Sequence, residues 1–160
     1  MPPPLNHPSL NLQVLPETWF VVQLPPQETV PAPILEALSK DTGKGLSVTR
    51  TPEELSIAGA WREGFPDAFK GECTWRCIKI AGPMSFSLVG VLAQVTAPLQ
   101  AAQCPVFVTS TWSASSPSAI ACTESVLFRN TDYILVPKDK LNLAVDALKT
   151  DGWCFSYSLV

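Results

Sequence analysis

Proline placement constrains this chain more than any other feature. Proline fixes φ and removes a backbone donor, so helices and central strands must begin or end around it. Sixteen prolines are scattered unevenly through 160 residues. Pro2, Pro3, Pro4 and Pro8 make residues 1 to about 10 a loose leader. Residues 19–24 are β-branched and aromatic and stop at Pro25-Pro26, which reads as a strand. Residues 33–38 leave room for a short helix with Pro33 in its first turn. Residues 46–49 and 55–58 read as two short strands, with Pro52 in the hairpin loop where no ladder donor is needed. Glu53 and Glu54 form an adjacent acidic pair there, but neighbours on extended backbone point apart, so a solvated loop is expected.

Residues 61–74 read as a connection broken by Gly64, Pro66 and Gly71, with a weak helical segment around 65–69. Residues 77–80 alternate as a strand closed by Gly82-Pro83. Ser85 is placed to cap a helix in which Leu88, Leu92, Val95 and Leu99 recur at helical spacing, and Pro98 should kink or shorten its last turn. Strands follow at 106–109 and 133–136, then a helix marked by Leu141, Val145 and Leu148 and stopped by Gly152, then an alternating strand at 153–159. The second half is therefore ordered strand, helix, strand, strand, helix, strand. That order predicts an α+β fold, a ferredoxin-like βαββαβ lobe with two helices on one face of an antiparallel sheet. A faint repeat links Val48-Thr49-Arg50-Thr51 to Val108-Thr109-Ser110-Thr111, each followed by an acid and an apolar strand, Glu54 before Leu55 and Asp132 before Tyr133. The expected layout is a leader at 1–10, a truncated lobe at 11–74 and a complete lobe at 75–160.

Composition narrows the function. With 46% hydrophobic and 16% charged residues the chain suits a globular domain, and its formal charge of −3 offers no basic field for nucleic-acid phosphates. No apolar run approaches the ~20 residues of a membrane-spanning helix. The first residues lack the basic start and apolar stretch of a signal peptide, so a cytosolic setting is expected, with no membrane partner. Cys73, Cys77, Cys104, Cys122 and Cys154 are dispersed, and the Cys73–Cys77 spacing matches neither a redox pair nor half a zinc knuckle. Small buried thiols, free of metal, are the expectation. The single histidine, His7, lies in the leader. A nucleophile would lack a base, and a zinc site its ligands, so neither an enzyme nor a cofactor or metal protein is expected.

Residues 82–93, then Pro98-Leu99, then Val108-Thr109-Ser110-Thr111, then Asn130-Thr131-Asp132-Tyr133-Ile134-Leu135-Val136 resemble one family. They look like the small tandem ACT-domain proteins of bacteria and fungi, related to the CASTOR arginine sensors and, more distantly, to aspartate-kinase regulatory domains. Residues 22–26 and the hairpin at 48–57 fit the same family, and the resemblance covers roughly residues 11–158. It implies ferredoxin-like lobes in tandem and a regulatory sensor that binds a free amino acid rather than a catalyst. It also implies a site: the loop and helix start at Ser85, Val89, Gly90, Val91 and Leu92, and the strand-end residues Thr111, Trp112 and Asp132. A helix N-terminus offers unpaired amides to a carboxylate, and Asp132 would receive the ammonium.

Each position also has a plainer reading. Asp132 fits a turn beside Asn130, Gly90 fits helix packing, Thr111 an ordinary strand and Trp112 a core anchor. Relatives join the two strands by a tight turn, whereas residues 113–129 intervene here as an insertion. Its first half is small and polar and its second half apolar, so it reads as a lid, an occluding segment or a partner surface beside the site, or as a segment wrongly included in the gene. The resulting expectation is a non-catalytic amino-acid-binding module acting on a regulated protein partner or on its own assembly, such as a homodimer. The alternative is a protein–protein interaction module whose pocket no longer binds a ligand.

Overall fold

The computed structural model describes residues 7–82, 90–114 and 128–156, and of 112–114 and 128–130 only the backbone. The elements in chain order are β1 (Leu12–Leu24), α1 (Ala32–Leu38), β2 (Leu46–Arg50), β3 (Leu55–Ala60), α2 (Asp67–Lys70), β4 (Trp75–Ile80), α3 (Val91–Ala101), β5 (Phe107–Ala114), β6 (Phe128–Pro137) and α4 (Leu141–Thr150). Two compact units emerge: a first of Pro16–Cys77, and a second joining the residues up to Leu15 to those from Ile78 onward. Both β1 and β4 therefore change unit part-way along.

In the first unit the strands run β2-β3-β1 and are antiparallel, with Leu46 opposite Gly59 and Trp19 opposite Ala60. Alternation sends Phe20 and Val22 of β1 and Leu55 and Ile57 of β3 to one face, where Ile34 of α1, Phe65 and Phe69 complete the core. Phe20 meets Phe65 edge-on at 5.8 Å between ring centroids. The second helix shrinks to the single turn α2, which buries only Phe69. On the opposite strand face, Trp19 packs so closely on Gly45 that a Cβ there would lie 2.3 Å from the indole. Glu53 and Glu54 sit in the expected hairpin loop, where both amides donate to Thr51 Oγ1, at 3.2 and 3.1 Å.

In the second unit the order is β1-β4-β6-β5. β5 and β6 are antiparallel, with Phe107 opposite Leu135, Ser110 opposite Asp132 and Ala114 opposite Phe128. Leu12, Ile78, Ile80, Ile134 and Val136 alternate inward from the strands to meet Val91, Val95 and Leu99 of α3 and Ala144 and Leu148 of α4. Burying each such aliphatic side chain contributes about 1.5–3 kcal/mol, and this face holds the unit together. Lys140 Nζ donates to the Gln103 carbonyl at 2.9 Å, tying the approach to α4 to the turn after α3.

Five sequence expectations meet the structure here. The leader ends in a 3-10 turn at Pro8–Leu10 whose Leu10 is fully buried, and β1 starts at Leu12 rather than at residue 19. The strand expected at 153–159 is a single parallel bridge, Leu12 to Phe155, because β1 already lies beside β4; residues 157–160 lie outside the described ones. Helix α3 begins at Val91, and Ser85 and Leu88 lie outside the described residues. Pro98 is carried inside α3, which continues to Ala101. Finally, the ends of the 113–129 insertion are ladder, since Ser113 pairs with Arg129 and Ala114 with Phe128; the rest of it lies outside the described residues.

Candidate functional site

The site is built on the alternation of β6. Val136 and Ile134 point into the helix-covered core, and a period of two puts Asp132 next on the same face, at the margin of the core. Asp132 is 8% exposed and is the only buried charged residue among those described. Directly across the ladder, Ser110 Oγ donates to Asp132 Oδ1 at 2.5 Å. The ion pairs of the described residues lie elsewhere, at Lys40–Glu36 and Lys44–Glu17, so a neutral hydroxyl is what Asp132 holds. A carboxylate withdrawn from water with a neutral donor can accept a further charge-assisted hydrogen bond from a cation.

The start of α3 belongs to the same end of the unit. β4 runs out at Ile80, α3 returns over the sheet, and β5 sets out again, so the first turn of α3, the later half of β5 and the first half of β6 share that end. Gly90 is the N-cap residue at φ +84°, and no side chain of the described residues caps the first turn. Its carbonyl accepts from the Gln94 amide at 3.0 Å. A Cβ on Gly90 would touch nothing within 4 Å, so glycine is required by the left-handed backbone rather than by close packing. First-turn amides of Val91 and Leu92 lack an intrahelical acceptor and suit an anionic group.

The remaining expected residues divide. Val91 is buried in the core, and Leu92 is 40% exposed. Thr111 is exposed, alternates to the face opposite Ser110, and donates from Oγ1 to the Thr131 carbonyl at 3.2 Å. Trp112 lies opposite Asn130 in the ladder by its backbone. Ser85 and Val89 lie outside the described residues. Ser110, rather than the expected Thr111, is the residue that meets Asp132, and the alternation Val108, Ser110 is the sequence signal for it.

The repeat noted in the sequence shows why the first unit has no matching carboxylate. Arg50 stands where Ser110 stands in the echo, and its guanidinium donates to the carbonyls of Pro26 and, at 2.7 Å, Glu28. It holds the loop before α1 instead of facing an acid. Among the thiols, Cys77 and Cys104 are buried, Cys73 is half-buried, and Cys154 is exposed, a departure from the expectation of buried thiols throughout. Burial pushes the Cys104 thiol above its ordinary range, against the opposing charge of Lys140. His7 Nδ1 accepts from the Ser9 amide at 3.2 Å and caps the first turn.

Residues 70–116 match the family model of the ACT domain. That span holds β4, α3 and the whole of β5, including Gly90, Val91, Leu92 and Thr111, and stops short of Asp132. Solved structures share the fold across nearly the whole chain. Protein Atu0741 of Agobacterium tumefaciens is similar with a TM-score of 0.67 and 24% identity, over 96% of this chain and 97% of that one. The regulatory subunit of aspartate kinase from Thermus thermophilus, in a ligand-free form, gives 0.53 and 11%, over 91% and 99%. A Vibrio cholerae protein of unknown function, described as a possible transport protein, gives 0.53 and 17%, over 88% of each chain. No curated protein matches the sequence. Among the described residues, no helix is long and apolar enough to cross a membrane.

Proposed function

We propose that this chain is a non-catalytic regulatory module, two ACT-like lobes in tandem at about 11–74 and 75–160, that binds a free amino acid in the second lobe. The observation that carries this reading is Asp132, a buried carboxylate held by a hydroxyl and paired with no cation among the described residues. The ligand ammonium would meet Asp132, and its α-carboxylate the amides at the start of α3 near Gly90 and Val91, with Leu92 and Trp112 around the site and Ser85 and Val89 ahead of it in the sequence. Thr111, on the other face of β5, would act only through the strand. The ACT match over 70–116 and the likeness to an aspartate kinase regulatory subunit support a regulatory role exercised on a partner protein or on a second copy of the chain. The kinship with CASTOR-like sensors and a cytoplasmic setting belong to the same proposal.

A melting screen against the twenty amino acids tests it, because a ligand that binds only the folded state raises the melting temperature by mass action. Calorimetric titration of wild type and Asp132→Ala with the selected amino acid then locates the site. Losing the acid would leave a desolvated cation unpaired, a cost of about 2–5 kcal/mol. Affinity should fall roughly thirty-fold or more, since 1.4 kcal/mol is a factor of ten. Equal affinities would remove Asp132 from the site. A screen in which no amino acid shifts the melt would favour a protein-interaction module, a reading that the exposed Leu92 and Leu143 of α3 and α4 support.

A further inference from the structure

The first unit holds a charged side chain with buried, unpartnered donors. Residue Arg62 follows β3, and its guanidinium carbon stacks 4.8 Å from the centroid of the Phe65 ring. That ring is fixed: Phe65 is 6% exposed and meets Phe20 and Trp61 edge-on, at 5.8 and 6.2 Å. Packing on an immobile aromatic keeps the guanidinium over the ring and leaves it able to turn there. Its Nε and Nη2 are nevertheless shut off from water, with no acceptor among the described residues. These two donors form one edge of the guanidinium, the edge that grips a carboxylate through two parallel hydrogen bonds. A desolvated donor without an acceptor is a cost that folds rarely tolerate without a reason.

Arg62 also lines a cavity of about 300 Å³ with Pro33, Glu36, Ala37, Lys40, Glu63 and Phe65 among its walls. Neither acid neutralises it. Glu36 is taken by Lys40 at 2.5 Å, whose hydrogen bond and charge hold it below the usual carboxylate range, and Glu63 makes no ion pair among the described residues. Pro33, Ala37 and Phe65 supply apolar wall. The two acids would repel a phosphate dianion, whereas a monoanion with a short apolar body matches both the fork and the wall.

We propose that this cavity is a binding site for a small monocarboxylate, gripped by the Nε–Nη2 edge of Arg62 after a slight turn of the guanidinium toward the cavity it lines. The site is independent of Asp132 and does not rest on the amino-acid reading.

The test uses the full chain with butyrate as probe. Butyramide serves as the neutral control and inorganic phosphate as the competing anion. In ¹H–¹⁵N spectra the Arg62 Nε–H signal, identified by its loss in Arg62→Lys, should move saturably with butyrate and stay put with butyramide or phosphate. Calorimetry should show butyrate affinity at least ten-fold weaker in Arg62→Gln and in Arg62→Lys, which keeps the charge but not the fork. Melting curves confirm that the variants are folded; should Arg62→Gln fail to fold, Arg62→Lys and the wild-type spectra decide. An Arg62 signal that does not move, or moves equally with phosphate, overturns the proposal. So does undiminished butyrate binding by either folded variant.

Discussion

Ser110 and Asp132 face each other across the β5–β6 ladder, and the serine hydroxyl donates to the aspartate at 2.5 Å. The acid is 8% exposed and the serine is exposed, so the pair sits where the helix-covered core meets solvent. Removing the hydroxyl leaves a largely desolvated carboxylate with one partner fewer. A hydrogen bond to a charged group contributes about 1.5–3 kcal/mol, and water able to reach position 110 recovers part of it. We therefore expect Ser110→Ala to lose about 1–2 kcal/mol in urea unfolding. A loss indistinguishable from zero would mean that Asp132 is as well solvated without its partner.

Trp19 sets the second expectation. It is 2% exposed and lies against Gly45, where a methyl group would stand 2.3 Å from the indole. The ring is buried and cannot swing away freely, so the added carbon must displace it. Overpacking of this kind costs about 1–3 kcal/mol. Gly45→Ala should lower stability by that amount, and Trp19 fluorescence should shift with it in a background where the other tryptophans are replaced. Unchanged stability would show that the indole has room to move.

How far the sequence foretold this arrangement depends on which force shaped each part. Where one apolar face is buried, its period survives in the residues: Ile78 and Ile80, Ile134 and Val136, and Val95 and Leu99 were all readable as core. The first half of β1 was not, because Pro16 and Glu17 interrupt any simple alternation. The final segment has strand-like alternation, yet its described residues form one bridge, since pairing depends on which neighbour is available and β1 already lies beside β4. Long-range competition of that kind leaves no local signature. Asp132 was visible as an acid ahead of an apolar strand, whereas the unpartnered edge of Arg62 emerges only when the fold encloses it.

Gly90 separates two explanations of a glycine. It has φ +84°, and a Cβ would meet nothing within 4 Å. The penalty for a side chain is therefore conformational, about 1–2 kcal/mol for a β-carbon in the left-handed region. Gly90→Ala should lose about that much, and Gly90→Asn less, because asparagine tolerates this backbone. Equal losses for the two, measured by thermal melting, would point to a steric cause instead.

The cysteines give a prediction in pH. Burial raises the Cys104 thiol above its ordinary value, with Lys140 pulling it back and Asp139 pushing it further up. The folded state therefore holds this proton more tightly than the unfolded chain does. Its contribution to stability is complete below the ordinary thiol range and is lost as pH rises through the folded value. Urea unfolding at about pH 8 and about pH 10 brackets the start of that loss. Wild type should lose more stability between the two than Cys104→Ala, since tyrosines and lysines titrate in both and cancel in the comparison. Thiol labelling of the folded protein should agree, with exposed Cys154 reacting well before Cys77 and Cys104. Equal pH dependence in the two proteins, together with prompt labelling of Cys104, would show that this thiol is open to solvent and that the turn tied by Lys140 to Gln103 does not seal it.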